Sequence, residues 1–200
     1  MATTSSKQAK QRVPAAERRD ALIAAAIEEF AIAGLHGTPV DRIARRVGVA
    51  QPYVFSLFPS KRDLFIAAVH RGFEMVTELF AESAARFLAE HPEGSYTRQE
   101  LLGFIGDSYV ALVAQDRHVL MFQLQSYAAC DDEIIRKAVN EAYEGLMAAV
   151  GELTGATDDE LSEFFSMGMW LNVQAAIGRP DLETACQWIA RRRELRATAD

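Results

Sequence analysis

The sequence contains only two cysteines, Cys130 and Cys186, among its 200 residues. Two are too few for a disulfide scaffold or a thiolate zinc cluster. No apolar run approaches the length of about 20 residues that a transmembrane helix requires, and the first twelve residues lack the apolar stretch of a secretory signal. Half of the residues are apolar and 24% are charged, as in ordinary globular domains. These features predict a cytoplasmic globular protein without a membrane partner.

Motifs of catalysis and metal binding are also missing. The sequence has no Gly-x-Ser-x-Gly element, no Walker loop and no His-Glu-x-x-His pair. Its four histidines show no metal-ligand spacing: His36, His70, His91 and His118. We therefore expect no enzymatic activity, no metal and no cofactor. The two cysteines have no cationic or cysteine neighbour in sequence, so we interpret them as small buried residues, with a redox role left open.

Strand signals are scarce, whereas helix boundaries recur, and the fold class predicted is all-α with about nine helices. Four hydroxyl residues are each followed three positions later by an acid, which is the spacing of a helix N-terminal cap: Thr38, Ser60, Thr97 and Thr157. Predicted stops are Gly34 and Gly37, Gly48, and Pro59. After three N-terminal helices, the predicted helices span residues 60–90, 97–114, 117–129, 131–153, 158–178 and 181–196.

Residues 40–59 have the pattern of two short helices packed over a tight turn. The apolar positions that such packing needs are supplied by Ile43, Val47, Val49, Val54 and Leu57, with the small Ala44 at the close approach and Gly48 at the turn. The second short helix leaves a polar and aromatic set on its outer side: Gln51, Pro52, Tyr53, Phe55 and Ser56. Side chains in these positions can reach base edges in a major groove.

An ordinary helical hairpin would explain the glycine and the apolar positions equally well. It would not explain why the outer side is flanked by five cations: Arg42, Arg45, Arg46, Lys61 and Arg62. The pattern therefore favours DNA binding, although for Arg45 and Arg46 a solvated surface position explains the charge as well.

Residues 34–61 resemble the DNA-binding domain of TetR-family transcriptional regulators. The end of the first helix, with Phe30, Ala31 and Gly34, is similar, as is the turn Phe58-Pro59-Ser60-Lys61. The sequence departs from the family pattern at Ala50, where Ser or Thr is common, and at Phe55, where Tyr is usual. The resemblance implies an N-terminal three-helix helix-turn-helix domain, followed by a larger helical domain for ligand binding and dimerisation.

The resemblance also implies roles for individual residues. Gln51, Pro52 and Tyr53 would face bases, while Thr38, Arg42, Phe55, Ser56 and Lys61 would meet the sugar–phosphate backbone. Lys61 lies in the first turn of a helix, where a cation and free N–H groups can hold a phosphate together.

The second half of the chain is rich in methionine and aromatic residues at helical spacing. Most of these are expected to form a core, but the density also suits a cavity that adapts to an apolar ligand. Polar residues interrupt these segments: His118, Gln123, Gln125, Asn172 and Gln174. The ligand-site residues predicted are Phe104, Met121, Gln125, Tyr127 and Trp170. The dimer-interface residues predicted by resemblance are Phe165, Met169, Val173, Ile177 and Trp188.

Charge is divided unevenly along the chain. Residues 1–63 hold 10 Lys and Arg against 6 Asp and Glu, whereas residues 64–200 hold 11 against 22. The total of −7 therefore combines a basic N-terminal segment, residues 1–63, with an acidic remainder. This distribution favours an approach to DNA through the N-terminal segment. We expect a disordered basic arm at 1–12, a DNA-binding domain at 13–60, and a ligand-binding and dimerisation domain at 61–200.

The function predicted is that of a homodimeric repressor, released from a palindromic operator in double-stranded DNA when a small, largely apolar effector binds. An architectural DNA-binding dimer without an effector is the alternative. A helical enzyme or carrier with a vestigial helix-turn-helix is a third hypothesis, which no catalytic motif supports.

Overall fold

The computed structural model describes residues 14–178, and within that range the chain forms eight α-helices and no β-strand. The all-α prediction is confirmed, and the five predicted helices between residues 60 and 178 begin and end within two residues of the observed bounds. The helices are α1 (Ala15–Gly37), α2 (Val40–Val47), α3 (Gln51–Leu57), α4 (Lys61–Glu90), α5 (Arg98–Gln115), α6 (Arg117–Ala128), α7 (Glu133–Thr154) and α8 (Asp158–Ala176).

Three of the four predicted N-terminal caps are present. Thr97 and Thr157 each form a complete capping box with Glu100 and Glu160, and the Ser60 side chain accepts from the Asp63 N–H. The prediction for Thr38 was wrong, because α2 begins after Pro39 without a side-chain cap. The hydroxyl of Thr38 is buried and instead donates to the carbonyl oxygen of Glu29 at 3.1 Å.

The thirty-residue helix α4 lies at the centre of the structure and packs against α1, α5 and α7. Its first half completes the core of the N-terminal helices, and its second half belongs to the larger domain. At the junction, Phe65 packs edge-on against Phe30 of α1, with ring centroids 4.9 Å apart, and against Phe122 of α6 at 5.5 Å. One aromatic cluster is therefore shared by both halves of the chain.

A second contact between the halves depends on Gly34 near the end of α1. Its backbone has φ 66° and ψ −177°, a conformation that is essentially restricted to glycine. A Cβ at this position would lie 2.5 Å from Oε1 of Gln125 on α6. The predicted helix stop at Gly34 is thus also a point of close approach to α6.

The predicted arm at 1–12, the predicted helix at 181–196, Trp188 and Cys186 lie outside the described residues. Between residues 14 and 178, no helix is both long enough and apolar enough to span a bilayer.

Candidate nucleic-acid interface and ligand cavity

Helices α2 and α3 pack as the sequence predicts. Ile43, Ala44 and Val54 are fully buried between them and α1, whereas Val47, Val49 and Leu57 are partly buried around that contact. Gly48 ends α2 in the left-handed conformation, with φ 71° and ψ 34°. Its N–H donates to the Arg45 carbonyl at 3.1 Å, and α3 begins three residues later at Gln51.

The outer side of α3 is open to solvent. Gln51, Pro52, Tyr53, Phe55 and Ser56 are all exposed, with Tyr53 at 37% and Phe55 at 41%. Ala50 provides no side-chain cap, as its substitution for Ser or Thr predicts, and Pro52 in the first turn has no N–H that would need one. This helix therefore presents five exposed side chains on its outer side.

The cations beside α3 are less free than the sequence suggests. Arg42 forms an ion pair with the buried Glu29 of α1 at 2.7 Å, and Arg46 is paired with both Glu28 and Glu29. Arg45 pairs within α2 with Asp41. The ion pairs of Arg42 and Arg46 join α2 to α1, so their first effect is to position the helix-turn-helix.

Lys61 also has protein partners. Its Nζ donates to the carbonyl oxygens of His36 at 3.3 Å and Thr38 at 3.1 Å, which joins the start of α4 to the connection between α1 and α2. An ammonium has three donors, so one N–H is left over for a phosphate. Thr38 differs, because its buried hydroxyl has its single proton engaged by Glu29.

A cavity of about 180 Å³ lies in the larger domain and is lined by residues of α4, α5, α6, α7 and α8. Its walls are mostly aliphatic, aromatic and glycine residues, and the polar side chains among them are Asp107, Gln123 and Asn172, together with the hydroxyls of Tyr109, Tyr127 and Tyr143. The volume compares with that of an engineered apolar cavity of about 150 Å³ that holds benzene.

Three of the polar groups bond to one another. The Tyr109 hydroxyl lies 2.7 Å from Oε1 of Gln123 and 2.8 Å from Oδ1 of Asn172, and Asn172 Nδ2 donates to the same Gln123 oxygen at 3.0 Å. Burial raises the pKa of Tyr109 to about 12, so its phenol stays neutral and can donate its proton to one oxygen at a time.

The Tyr127 hydroxyl is different. It is buried at the cavity without a hydrogen-bond partner among the described residues. Burial also raises the pKa of Tyr127, and nearby Gln123 opposes that rise slightly without completing a hydrogen bond. A buried hydroxyl without a partner costs about 1–3 kcal/mol, and a ligand oxygen or nitrogen in the cavity would remove that cost.

Only one of the five predicted ligand-site residues, Tyr127, lines this cavity. Gln125 faces the opposite side of α6, against Gly34. Phe104 packs on Phe87, with the Arg86 guanidinium 4.9 Å above its ring. Met121 and Trp170 also lie outside the lining. Four of the five predicted residues therefore lie outside the lining of this cavity.

The predicted dimer residues of α8 and its C-terminal end fall into two groups, one at the cavity and one exposed to solvent. Phe165 and Met169 line the cavity, whereas Val173 and Ile177 are 44% and 66% exposed. Each step of four residues rotates a side chain by about 40° around an α-helix, so the four positions spread over about 120°. Phe165 and Met169 lie at the cavity side of this arc, and Val173 and Ile177 lie at its exposed side.

Gln123 and Asn172 are the functional candidates that the sequence reasoning noticed but did not select. The signal was available, because Gln123 and Tyr127 are four residues apart and share a helix face, whereas Gln125 and Tyr127 do not. Cys130 is not among the residues that line the cavity, and its thiol donates to the Ser126 carbonyl. Burial raises the pKa of Cys130, which disfavours a reactive thiolate.

A three-helix unit with an exposed third helix after a glycine turn, joined to a larger helical domain with a cavity, is the architecture of a helix-turn-helix DNA-binding regulator. Residues 22–68 match the family described as "Bacterial regulatory proteins, tetR family". Residues 22–68 are therefore a DNA-binding domain of the TetR type.

Two regulators show the extent of the similarity. The fatty acid metabolism regulator protein of Bacillus subtilis (strain 168) is 28% identical over 173 residues, which are 84% of this chain and 81% of that protein. The HTH-type transcriptional activator FasR of Mycolicibacterium smegmatis is 42% identical over 60 residues, 30% of this chain. That match spans only 27% of FasR.

Solved structures share the fold. A crystal structure assigned to the TetR family, from Mesorhizobium loti MAFF303099, has a TM-score of 0.70 at 19% identity and covers 87% of this chain and 92% of its own. The transcriptional regulator FadR from Bacillus subtilis, in complex with stearoyl-CoA, has a TM-score of 0.55 at 22% identity, with 87% and 88% covered.

Proposed function

We propose that this protein is a homodimeric repressor that leaves a partly palindromic operator when a small, largely apolar ligand occupies the cavity. The observation that carries the proposal is the double role of α6. One face of this helix contributes Gln123 and Tyr127 to the cavity, and the opposite face places Gln125 against Gly34 of the DNA-binding half. A ligand that displaces α6 would therefore act directly on α1.

In this proposal Gln51, Pro52 and Tyr53 contact base edges, because they occupy the exposed N-terminal part of α3. Phe55 and Ser56 lie one turn further along, and Lys61 has a donor left over for a phosphate. Thr38 and Arg42 would have to exchange their present partners in Glu29 for the DNA backbone. We also propose a domain boundary near residue 60, at the start of α4.

The proposed dimer uses the outer side of α8. Val173 and Ile177 are exposed large apolar side chains on that side, and a second copy would bury both. In such a dimer the two α3 helices must lie about 34–36 Å apart to enter successive major grooves. A displacement of a few ångströms through α6, α1 and α4 would disturb that spacing and release the DNA.

The nature of the ligand is supported by the cavity and by one relative. The FadR structure contains stearoyl-CoA, a ligand with a long apolar chain. The cavity here has a largely apolar lining but a volume of about 180 Å³, which suits a molecule nearer to benzene in size. We therefore expect a smaller effector than a long acyl chain.

Operator binding by two single variants tests the assignment of the DNA surface. We expect Tyr53→Ala to weaken binding by about 1–3 kcal/mol and to relax sequence preference, whereas Lys61→Ala should weaken binding to all sequences and lower the salt dependence by about one counterion. Glu93→Gln, an exposed change between α4 and α5, serves as the control. Unchanged gel-shift affinity of both variants would overturn the assignment.

A thermal-shift screen separates the repressor from the architectural dimer. An effector that binds the folded state raises the melting temperature, and the proposal requires that the same compound release operator DNA. If no stabilising compound changes DNA affinity, the architectural function is supported instead. If the protein enriches no sequence from genomic DNA, regulation by DNA binding fails altogether.

A further inference from the structure

The charged residues around the cavity indicate which ligand charge it favours, in addition to the apolar character already described. Asp107 of α5 is the only acidic side chain in the lining, and none of the described lining residues is Lys, Arg or His. Asp107 is exposed although it lines the cavity, so it stands at the solvent edge. Among residues 14–178 it has no ion pair or hydrogen bond, and burial raises its pKa. This carboxylate is therefore uncompensated by the described protein.

The interior of the cavity beyond Asp107 disfavours a negatively charged group. Burial raises the pKa of all three tyrosines in the lining, Tyr109, Tyr127 and Tyr143, because their anionic forms would lose solvation there. A ligand carboxylate or phosphate would meet the same penalty and would find no cation among the described lining residues. An uncompensated buried charge costs several kcal/mol.

The aromatic rings in the lining favour a positively charged ligand. Six of the lining residues are aromatic, and several pair edge-to-face, such as Phe80 with Phe164 at 5.7 Å and Phe164 with Phe165 at 5.3 Å between ring centroids. The face of an aromatic ring carries partial negative charge and attracts organic cations, quaternary ammonium groups above all. Weakly hydrated cations of this type also pay less to leave water than a compact ammonium does.

We propose that the cavity takes a small lipophilic cation, with its apolar groups among the aromatic rings and its charge directed towards Asp107. The Tyr127 hydroxyl would bond to a polar atom of the same molecule. This inference rests on the proposed function, since it names the class of effector for the same site.

Calorimetric titration of the full-length protein without DNA tests the charge preference directly. The probes are three molecules of similar shape: choline, its uncharged analogue 3,3-dimethylbutan-1-ol, and the anion 3,3-dimethylbutanoate. We expect choline to bind about tenfold more tightly than the alcohol, and the anion to show no binding. Equal affinity of choline and the alcohol, tighter binding of the anion, or no binding by any probe would overturn the proposal.

Two substitutions test which residues cause the preference for choline over the uncharged alcohol. Asp107→Asn should reduce the preference for choline over the alcohol to threefold or less, while Glu93→Gln, an acid away from the cavity, should preserve it. Tyr127→Phe should weaken both hydroxyl-bearing probes and leave their ratio unchanged. A ratio unaffected by Asp107→Asn would overturn the role of this carboxylate, and an unchanged melting temperature would show that the variant is folded.

Operator release is measured separately, so the two proposals can fail independently. If choline binds more tightly than the alcohol and the anion does not bind, but bound choline leaves DNA affinity unchanged, the effector mechanism fails and the ligand class stands. If only an uncharged or anionic compound releases DNA, the regulator stands and the ligand class fails.

Discussion

Replacement of Gly34 by alanine tests how the DNA-binding helices are joined to the larger domain. The backbone at Gly34 has φ 66° and ψ −177°, and a Cβ added there would lie 2.5 Å from Oε1 of Gln125. Alanine therefore faces two separate costs. One is the backbone conformation itself, and the other is the collision with a side chain of α6.

The two costs differ in size, and only the collision can be relieved by a change in a neighbouring side chain. A side chain in this glycine-restricted region costs about 1–3 kcal/mol, and no neighbouring change can remove that cost. The collision involves the far end of a flexible side chain, which can move at a rotamer cost of about 0.5–1.5 kcal/mol. We therefore expect Gly34→Ala to lower the free energy of unfolding by about 2–4 kcal/mol.

A double-mutant cycle with Gln125→Ala separates the two contributions. In the Gly34→Ala background, loss of the Gln125 side chain should restore about 1 kcal/mol and no more, because the backbone cost persists. Urea unfolding followed by circular dichroism gives each free energy. Gly145→Ala is the matched control: this glycine is inside α7 with open space around its Cβ, so alanine should stabilise by up to about 1 kcal/mol.

Either of two results would refute this reasoning. A Gly34→Ala variant within about 0.5 kcal/mol of the parent protein would mean that the conformation at Gly34 is not required for the fold. Full recovery of stability in the double variant would mean that the collision, and not the backbone, is the whole cost.

Three further predictions concern the charges and the outer surface. Glu29→Gln should lower the free energy of unfolding by about 1–3 kcal/mol, because it weakens a buried carboxylate that is paired with two arginines; a urea midpoint unchanged from the parent would contradict this. Backbone hydrogen bonds from their own N-caps lower the pKa of Glu100 and Glu160, so their contribution to stability is complete above pH 4.5 and is lost as pH falls through the lowered values. The Glu100→Gln/Glu160→Gln variant should therefore lose less stability than the parent between pH 5 and pH 3, and parallel unfolding curves would exclude that role. Val173→Glu combined with Ile177→Glu should convert the proposed dimer to monomers in light-scattering chromatography, whereas an unchanged mass would move the interface elsewhere.

Most of the helix boundaries were predictable because they depend on local chemistry. The capping boxes at Thr97 and Thr157 and the left-handed glycine at position 48 each need only residues within a few positions of one another. Thr38 was mispredicted because its hydroxyl has a non-local alternative, the carbonyl of Glu29 nine residues earlier in the chain. Local spacing cannot show whether a buried hydroxyl will accept from a nearby N–H or donate to a carbonyl oxygen more distant in the chain.

The exposed surface of α3 was more predictable than the cavity. Exposure of Tyr53 and Phe55 follows from the packing pattern of two short helices. The cavity depends on which faces of five helices converge, and Gln123 meets Asn172 across 49 positions in the chain. Composition showed that polar residues interrupt apolar helices, but only the tertiary arrangement shows that Gln125 meets Gly34 while Gln123 meets the cavity.

The DNA selected by the full-length protein from fragmented genomic DNA of its own organism tests the central claim most directly. Selection is carried out in parallel with a Gln51→Ala/Tyr53→Ala variant, which keeps the core of the helix-turn-helix unchanged because both side chains are exposed. We predict that the parent protein enriches fragments that share an inverted repeat with half-sites one helical turn apart, and that the variant does not. Enrichment of the same fragments by both proteins, or of none by the parent, would contradict the assignment of α3 as the helix that reads DNA.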